Sequence, residues 1–187
     1  DAAEVEEDIA NNVFPSYTVD VNEYIYARDL GTATSGTSNS GYEYEVGNIF
    51  DIYADQVLYS IDVVARTSSA IGAEVRAKLY SIDSATGDFI FITESDILAI
   101  DVGDLGNIKS YALQSPTMLT SGQSYLVVAA TYGDGGASDD LVVANSGVSQ
   151  PLTSFYYDGT NTSWYYTSNT PMVRMNFESP CTSIDTT

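Results

Sequence analysis

Apolar and polar residues alternate in short runs along most of this chain, and turn-forming residues separate one run from the next. The clearest run is EVRAKLYSI, residues 74–82, which places Val75, Ala77 and Leu79 on one side and charged residues on the other. Alternation with a period of two predicts a β-strand, because successive side chains of a strand point to opposite faces of a sheet. Such runs recur at roughly 8 to 15 residues, the spacing typical of an antiparallel sandwich.

One run is apolar almost throughout. Residues 125–131, YLVVAAT, predict a central strand that is covered on both faces. Residues 56–66 predict a strand with Val57, Tyr59, Ile61 and Val63 on one face and Asp62 on the opposite, solvent-facing side. Only residues 96–105 carry a weak apolar stripe of helical period, so we expect very little helix. The sequence therefore predicts an all-β fold, an antiparallel β-sandwich that is jelly-roll-like.

The chain is expected to divide into four parts. Residues 1–16 form an acidic leader, and residues 17–27 alternate as one extra strand with a bulge at Asn22 or Glu23. Residues 31–41, GTATSGTSNSG, contain no large apolar side chain and predict a flexible linker, so that 17–41 is strand plus linker. The sandwich domain is expected over residues 42–178, and residues 179–187 begin a C-terminal linker.

The charge of the chain excludes several classes of function. There are 26 acidic residues, 6 basic residues and no histidine, which gives a formal net charge of −20. Such a surface repels phosphate backbones and anionic headgroups, so we expect no nucleic-acid partner and no direct membrane insertion. Without histidine the chain has no Ser-His-Asp triad and no histidine-bound zinc. Arg66, Arg76 and Lys78 are predicted to lie close together on one sheet face.

Carboxylates are the abundant reactive groups, and they allow either glycoside hydrolysis or calcium binding. A chain of this length leaves little material to wall a catalytic cleft, so we predict that the protein is not an enzyme. The loop over residues 132–140 places Asp134, Asp139 and Asp140 among three glycines, and these three are the predicted ligands of a calcium ion. The alternative is a solvated hairpin loop, since Asp and Gly are also good turn formers.

Aromatic residues are concentrated on both sides of the turn over residues 158–163. If the flanking segments form a hairpin, alternate rings face core and solvent. Exposed rings there would bind the faces of sugars, and the predicted ligand-binding residues are Tyr157, Trp164 and Tyr166. The alternative is that these rings pair across the strands and only stabilise the hairpin.

Several stretches resemble a β-sandwich module of secreted Bacteroidetes proteins exported by the type IX secretion system. They are GNIFDIYA at 47–54, VLYSID at 57–62, AKLY at 77–80, LTSGQSYLV at 119–127, TSFYYDG at 153–159, WYY at 164–166 and TPMVRMNF at 170–177. The resemblance covers about residues 42–177 and implies a secreted or cell-surface location. It also implies a C-terminal sorting domain, which is not in this sequence. Ser84 and Thr186 are similar to the O-glycosylation acceptors of that phylum.

Three functions follow as expectations. The first is noncatalytic adhesion or binding at the cell surface, with a surface glycan or a protein as partner. The second is a structural subunit of a filament, in which residues 17–27 leave their own domain and pair with a neighbouring copy. The third is a carbohydrate-binding accessory domain of a larger secreted enzyme. Calcium is the one cofactor considered.

Overall fold

The computed structural model describes residues 20–21, 24–137 and 140–180, and within these residues it contains strands and turns but no helix. The all-β prediction is therefore confirmed. The strands are β1 Asp20–Val21, β2 Ile25–Ala27, β3 Ser35–Thr37, β4 Tyr42–Asp51, β5 Gln56–Val64, β6 Glu74–Ile82, β7 Phe89–Glu94, β8 Leu98–Ala99, β9 Ile108–Leu119, β10 Ser124–Gly133, β11 Val143–Val148, β12 Ser154–Asp158, β13 Ser163–Tyr166, β14 Asn169–Pro171 and β15 Val173–Asn176.

Two antiparallel sheets enclose the main hydrophobic core. One sheet has the order β1-β2-β15-β5-β9, and the other has the order β13-β12-β4-β10-β6-β7, with β8 paired to one end of β6. A small third sheet has the order β14-β11-β3. Side chains from both large sheets meet in one cluster, which includes Tyr44, Phe50, Leu79, Tyr111 and Met175. This arrangement is the sandwich that the alternation predicts, because each sheet buries one face against the other.

Strand β10 is buried on both faces, as its continuous apolar run predicts. Val127 and Ala129 point into the main core, whereas Leu126 and Val128 belong to a second cluster with Tyr80 on the opposite face of the sheet. All four side chains are fully buried. The second cluster means that this sheet has a covered outer face, and the candidate site lies there.

The N-terminal strand differs from the prediction. Within the described residues it forms two short strands, since β1 pairs with β2 through Asp20 opposite Ala27 and Val21 opposite Tyr26. Strand β2 then pairs with β15. The chain reversal brings the Tyr26 ring into the core, where it contacts Phe177 at a centroid distance of 4.8 Å. Residues 1–16 and the predicted bulge at Asn22 or Glu23 lie outside the described residues.

The expected linker is not irregular throughout, because Ser35–Thr37 forms β3 and pairs with β11. The lack of large side chains in this segment lets it pack closely against the neighbouring segment of the chain. A side chain at Gly36 would place its Cβ 2.5 Å from Val142 Cγ1. The Tyr44 hydroxyl also donates a hydrogen bond to the carbonyl of Thr37. The composition that indicated flexibility therefore allows a close approach between strands.

Two further expectations are corrected by local structure. The weak helical stripe over residues 96–105 is the short strand β8 followed by turns, with Asp101 Oδ1 accepting the Gly103 N–H. In β5 a register shift falls between Leu58 and Ser60. This irregularity reverses the alternation, so Leu58, rather than Tyr59, shares the core with Ile61. The part of the chain that the structure describes has no helix long and apolar enough to cross a membrane.

Candidate ligand-binding face

The outer face of the six-strand path is rich in aromatic side chains. Register pairs place these rings on the side of the sheet that points away from the main core, beside Leu126 and Ile49. We call this surface the aromatic face. Its rings are those of Tyr80, Phe89, Phe91, Tyr132, Phe155, Tyr157, Trp164 and Tyr166.

The hairpin of β12 and β13 supplies half of these rings. Its turn is held by Asp158, whose carboxylate accepts hydrogen bonds from the N–H and hydroxyl of Thr160 and from the side-chain amide of Asn161. These hydrogen bonds, above all the one from the Thr160 hydroxyl, lower the pKa of Asp158. Phe155 lies opposite Tyr166, and Tyr157 lies opposite Trp164. The alternating Tyr156 instead stacks on Tyr44 on the core side, as the alternation predicts, whereas its partner Tyr165 is 50% exposed.

The three predicted ligand-binding residues lie together but differ in accessibility. Tyr166 is 69% exposed and presents its ring to solvent. Trp164 is partly buried, with its ring centroid 5.2 Å from Tyr157, 5.8 Å from Tyr80 and 4.9 Å from Phe89. The contacts of Trp164 are those of a ring that packs against other rings and stabilises the hairpin. The exposed ring of Tyr166 is the one that a ligand can reach.

A cleft opens beside Trp164, where the β6–β7 hairpin approaches the β12–β13 hairpin. Its volume is about 270 Å³. The rings of Phe89 and Phe155 are 5.0 Å apart at 80°, and those of Phe89 and Trp164 meet at 75°. We call it the aromatic cleft, and its lining residues are Ile49, Ile82, Gly87, Asp88, Phe89, Phe155 and Trp164. The alternation assigns each ring to a face, but only the tertiary fold brings the two hairpins together.

Charged side chains on the aromatic face form ion pairs. Lys78 Nζ lies 2.5 Å from Glu45 Oε1, and Tyr80 donates a 2.7 Å hydrogen bond to Glu45 Oε2. Burial, followed by the Glu45 carboxylate, raises the pKa of Tyr80. Arg76 pairs with Glu94 and lies over the Tyr132 ring at 4.4 Å. Each of these two cations is therefore paired with a carboxylate within the aromatic face.

The predicted basic cluster is only partly formed. Arg76 and Lys78 share the aromatic face, as expected, but Arg66 follows β5 in the other large sheet. Its N–H donates to the carbonyl of Val142, next to the small third sheet. Arg66 therefore lies in a different sheet from Arg76 and Lys78, because the connection between β5 and β6 crosses from one layer to the other.

The described carboxylates of the predicted calcium loop accept hydrogen bonds from backbone N–H groups. Asp134 Oδ1 accepts the N–H of Ala137, and Asp140 Oδ1 accepts the N–H of Gly41. Asp139 lies outside the described residues. Among those described, no three side chains of the metal-binding types converge. Calcium at Asp134, Asp139 and Asp140 stays a prediction.

Ser84 and Thr186 are the two predicted glycosylation sites. Ser84 is exposed in the β6–β7 turn, beside Asp83, whose carboxylate accepts the N–H groups of Ala85 and Thr86. Glycosylation of Ser84 stays a prediction, and Thr186 lies outside the described residues.

The expectation that Asp62 faces solvent is wrong. Its side chain is buried and accepts hydrogen bonds from the Ser110 hydroxyl and the Asn176 amide.

Sequence reasoning missed Glu45 and Phe89 as members of the aromatic face. Glu45 shares its side of β4 with Ile49, and Phe89 begins the run FIFIT, so alternation alone assigns each to a face. Which face is covered depends on residues far away along the chain. No protein-family model matches this sequence, and the curated proteins compared with it include no match. Fold and site together define an antiparallel β-sandwich protein with an aromatic outer face.

Proposed function

We propose that this protein is a noncatalytic β-sandwich that serves adhesion or binding at the cell surface, with a surface glycan as its first candidate partner. The observation that carries the proposal is the exposed ring of Tyr166 beside Tyr157 and Trp164, on a face whose cations are paired with carboxylates. A flat aromatic ring offers apolar area to the C–H face of a sugar, and rigid rings lose little entropy on binding. The resemblance to secreted modules supports an extracellular location.

The balance of charge favours a neutral glycan over an acidic one. The cations of the aromatic face, Arg76 and Lys78, already contact the carboxylates of Glu94 and Glu45. An acidic sugar would therefore meet the repulsion of a chain with net charge −20 without a ready partner. The same glycan-binding face would also serve a carbohydrate-binding accessory domain of a larger secreted enzyme.

Replacing Tyr166 with alanine is expected to weaken retention on the preferred polysaccharide about tenfold, which corresponds to about 1.4 kcal/mol. The ring is largely exposed, so its loss removes ligand contact rather than core packing. The measurement is a glycan array, followed by affinity electrophoresis with the polysaccharides that score. Tyr53→Ala is the matched control, because Tyr53 is 72% exposed but lies after β4, away from the aromatic face.

Two outcomes would contradict this assignment. If Tyr166→Ala and Tyr53→Ala bind the polysaccharide equally strongly, the site lies elsewhere. The absence of any signal on the array and with cell-surface polysaccharide would reject a glycan partner.

The second candidate is a filament subunit that exchanges the strand over residues 17–27. The observation in its favour is that, among the described residues, β2 pairs with β15 at two register positions, Ile25 opposite Asn176 and Tyr26 opposite Met175. The same pairing is available to a β2 from a neighbouring chain, since antiparallel registers do not depend on which chain supplies the strand.

A disulfide trap tests strand exchange. With Cys181→Ser as background, Ile25→Cys and Asn176→Cys place two thiols at directly opposed positions, within reach of a disulfide. Exchange predicts disulfide-linked oligomers on a non-reducing gel at every protein concentration. A band that migrates only as monomer, with both thiols consumed, would reject exchange. The single variants Ile25→Cys and Asn176→Cys are the controls.

A further inference from the structure

We propose that the aromatic cleft binds a quaternary ammonium compound, with choline as its simplest representative. The lining of this cleft includes three aromatic residues and one acidic residue, Asp88. This combination is chemically distinct from the flat Tyr166 platform, and the proposal does not depend on glycan binding there.

The angles between the rings select the shape of the ligand. Phe89 meets Phe155 at 80° and Trp164 at 75°, so the walls form a corner rather than a plane. A sugar stacks on one open plane, whereas a compact, roughly spherical group contacts several perpendicular walls at once. A trimethylammonium group has that shape, and its positive charge is attracted by the negative face of each ring.

The electrostatics of the cleft select the charge of the ligand. Asp88 is the charged member of the lining, and no lysine or arginine is among the described residues that line the cleft. The whole chain carries a net charge of −20, which raises the local concentration of cations. An anionic ligand would meet Asp88 without a compensating cation, so the lining favours a cation over an anion.

Hydrogen bonds within the β6–β7 turn fix the backbone on one side of this cleft. The β6–β7 turn is closed by the Asp83 carboxylate and by a hydrogen bond from the Gly87 N–H to the Asp83 carbonyl. Gly87 has a φ of 79°, which favours glycine, and it places Asp88 and Phe89 at the rim. The hydrophobic floor consists of Ile49 and Ile82. The ligand therefore pays little for ordering the site.

The single tryptophan of the chain is a wall of the cleft, so its fluorescence reports occupancy directly. Choline chloride is titrated into the full chain against sodium chloride at equal ionic strength. The second probe is the neutral carbon isostere of choline, in which a tert-butyl group replaces the trimethylammonium group. We expect a saturable change with choline and an affinity at least about tenfold lower for the isostere, because only choline gains the cation–π attraction.

Two variants locate the effect. Phe89→Leu keeps an apolar side chain but removes one ring, and it is expected to weaken choline about tenfold while leaving the isostere nearly unchanged. Asp88→Asn is expected to weaken choline about threefold to tenfold. Asp55→Asn removes the same charge near the start of β5 and is expected to leave choline binding unchanged. Tyr166→Ala is also expected to leave it unchanged, which separates this site from the glycan platform.

Three results would overturn the proposal. Equal affinities for choline and the isostere would show an apolar cleft without cation selectivity. A response to choline no larger than that to sodium chloride would show no site. Unchanged choline binding in Phe89→Leu, with circular dichroism confirming the fold, would place the cation elsewhere.

Discussion

Replacing Lys78 with methionine is expected to lower the free energy of unfolding by about 3 to 5 kcal/mol, because it leaves the Glu45 carboxylate buried without its cation. The side chains of Lys78 and Glu45 are only 11% and 6% exposed, and they join β6 to β4 across the intervening strand β10. Urea unfolding monitored by circular dichroism measures the change. The methionine side chain has nearly the same length, so lost packing contributes little.

A double substitution separates the charge effect from packing. Glu45→Gln removes the stranded charge but keeps an oxygen that accepts the hydrogen bond from Tyr80. The combined variant Glu45→Gln with Lys78→Met is therefore expected to recover most of the lost stability, to within about 1 to 2 kcal/mol of the original chain. Losses that simply add in the double variant would contradict the buried-pair explanation.

Lys109→Met is the matched control for the buried pair. Lys109 pairs with Asp104 at 2.5 Å, but its side chain is more exposed than that of Lys78. The side chains of this pair are 23% and 16% exposed, and ion pairs that solvent reaches contribute less than buried ones, so the expected loss is smaller, about 1 to 2 kcal/mol. If Lys78→Met cost no more than Lys109→Met, water would reach the Lys78–Glu45 pair on the aromatic face.

Replacing Gly47 with alanine is expected to destabilise the fold by about 4 kcal/mol or more. A Cβ at this position would lie 1.8 Å from the carbonyl oxygen of Val127 and 2.6 Å from the Cα of Val128. Both atoms belong to the backbone of β10, so a side-chain rotation cannot relieve the clash. Strand β4 would have to separate from β10, which is buried on both faces.

Gly103→Ala is the control for this substitution. A Cβ there meets only the Asp101 side chain, at 3.1 Å, in an exposed turn. Its expected effect is within about 1 kcal/mol. Soluble yield and urea midpoint are measured for both variants. Equal midpoints for the two would contradict the close approach of β4 and β10.

The strand pattern was predictable because it is local. The period of two in residues 74–82 placed Val75, Ala77 and Leu79 in the core, and the continuous run at 125–131 identified the doubly covered strand. Turn chemistry at Asp83 and Asp158 is local too, since each carboxylate binds N–H groups two or three residues later.

The register shift between β5 and β9 marks where this reasoning fails. Between the pairs Leu58–Thr117 and Ser60–Ala112, β5 has one residue and β9 has four. Across this shift the alternation of β5 changes phase, so that Leu58 and Ile61 are both in the core. The same long-range pairing buries Asp62 beside Ser110 and Asn176, although the alternation placed it in solvent.

The sequence by itself determined the fold class and, in strands with regular alternation such as β6 and β10, which side chains share a face, because both depend on neighbours within a few residues. It also determined which rings were available near the turn at 158–163. Only the tertiary structure decided that Phe89 contacts Trp164, that Lys78 reaches Glu45, and that Tyr166 keeps an exposed ring. These contacts join elements far apart in the chain, and their geometry depends on the curvature and packing of the whole sheet.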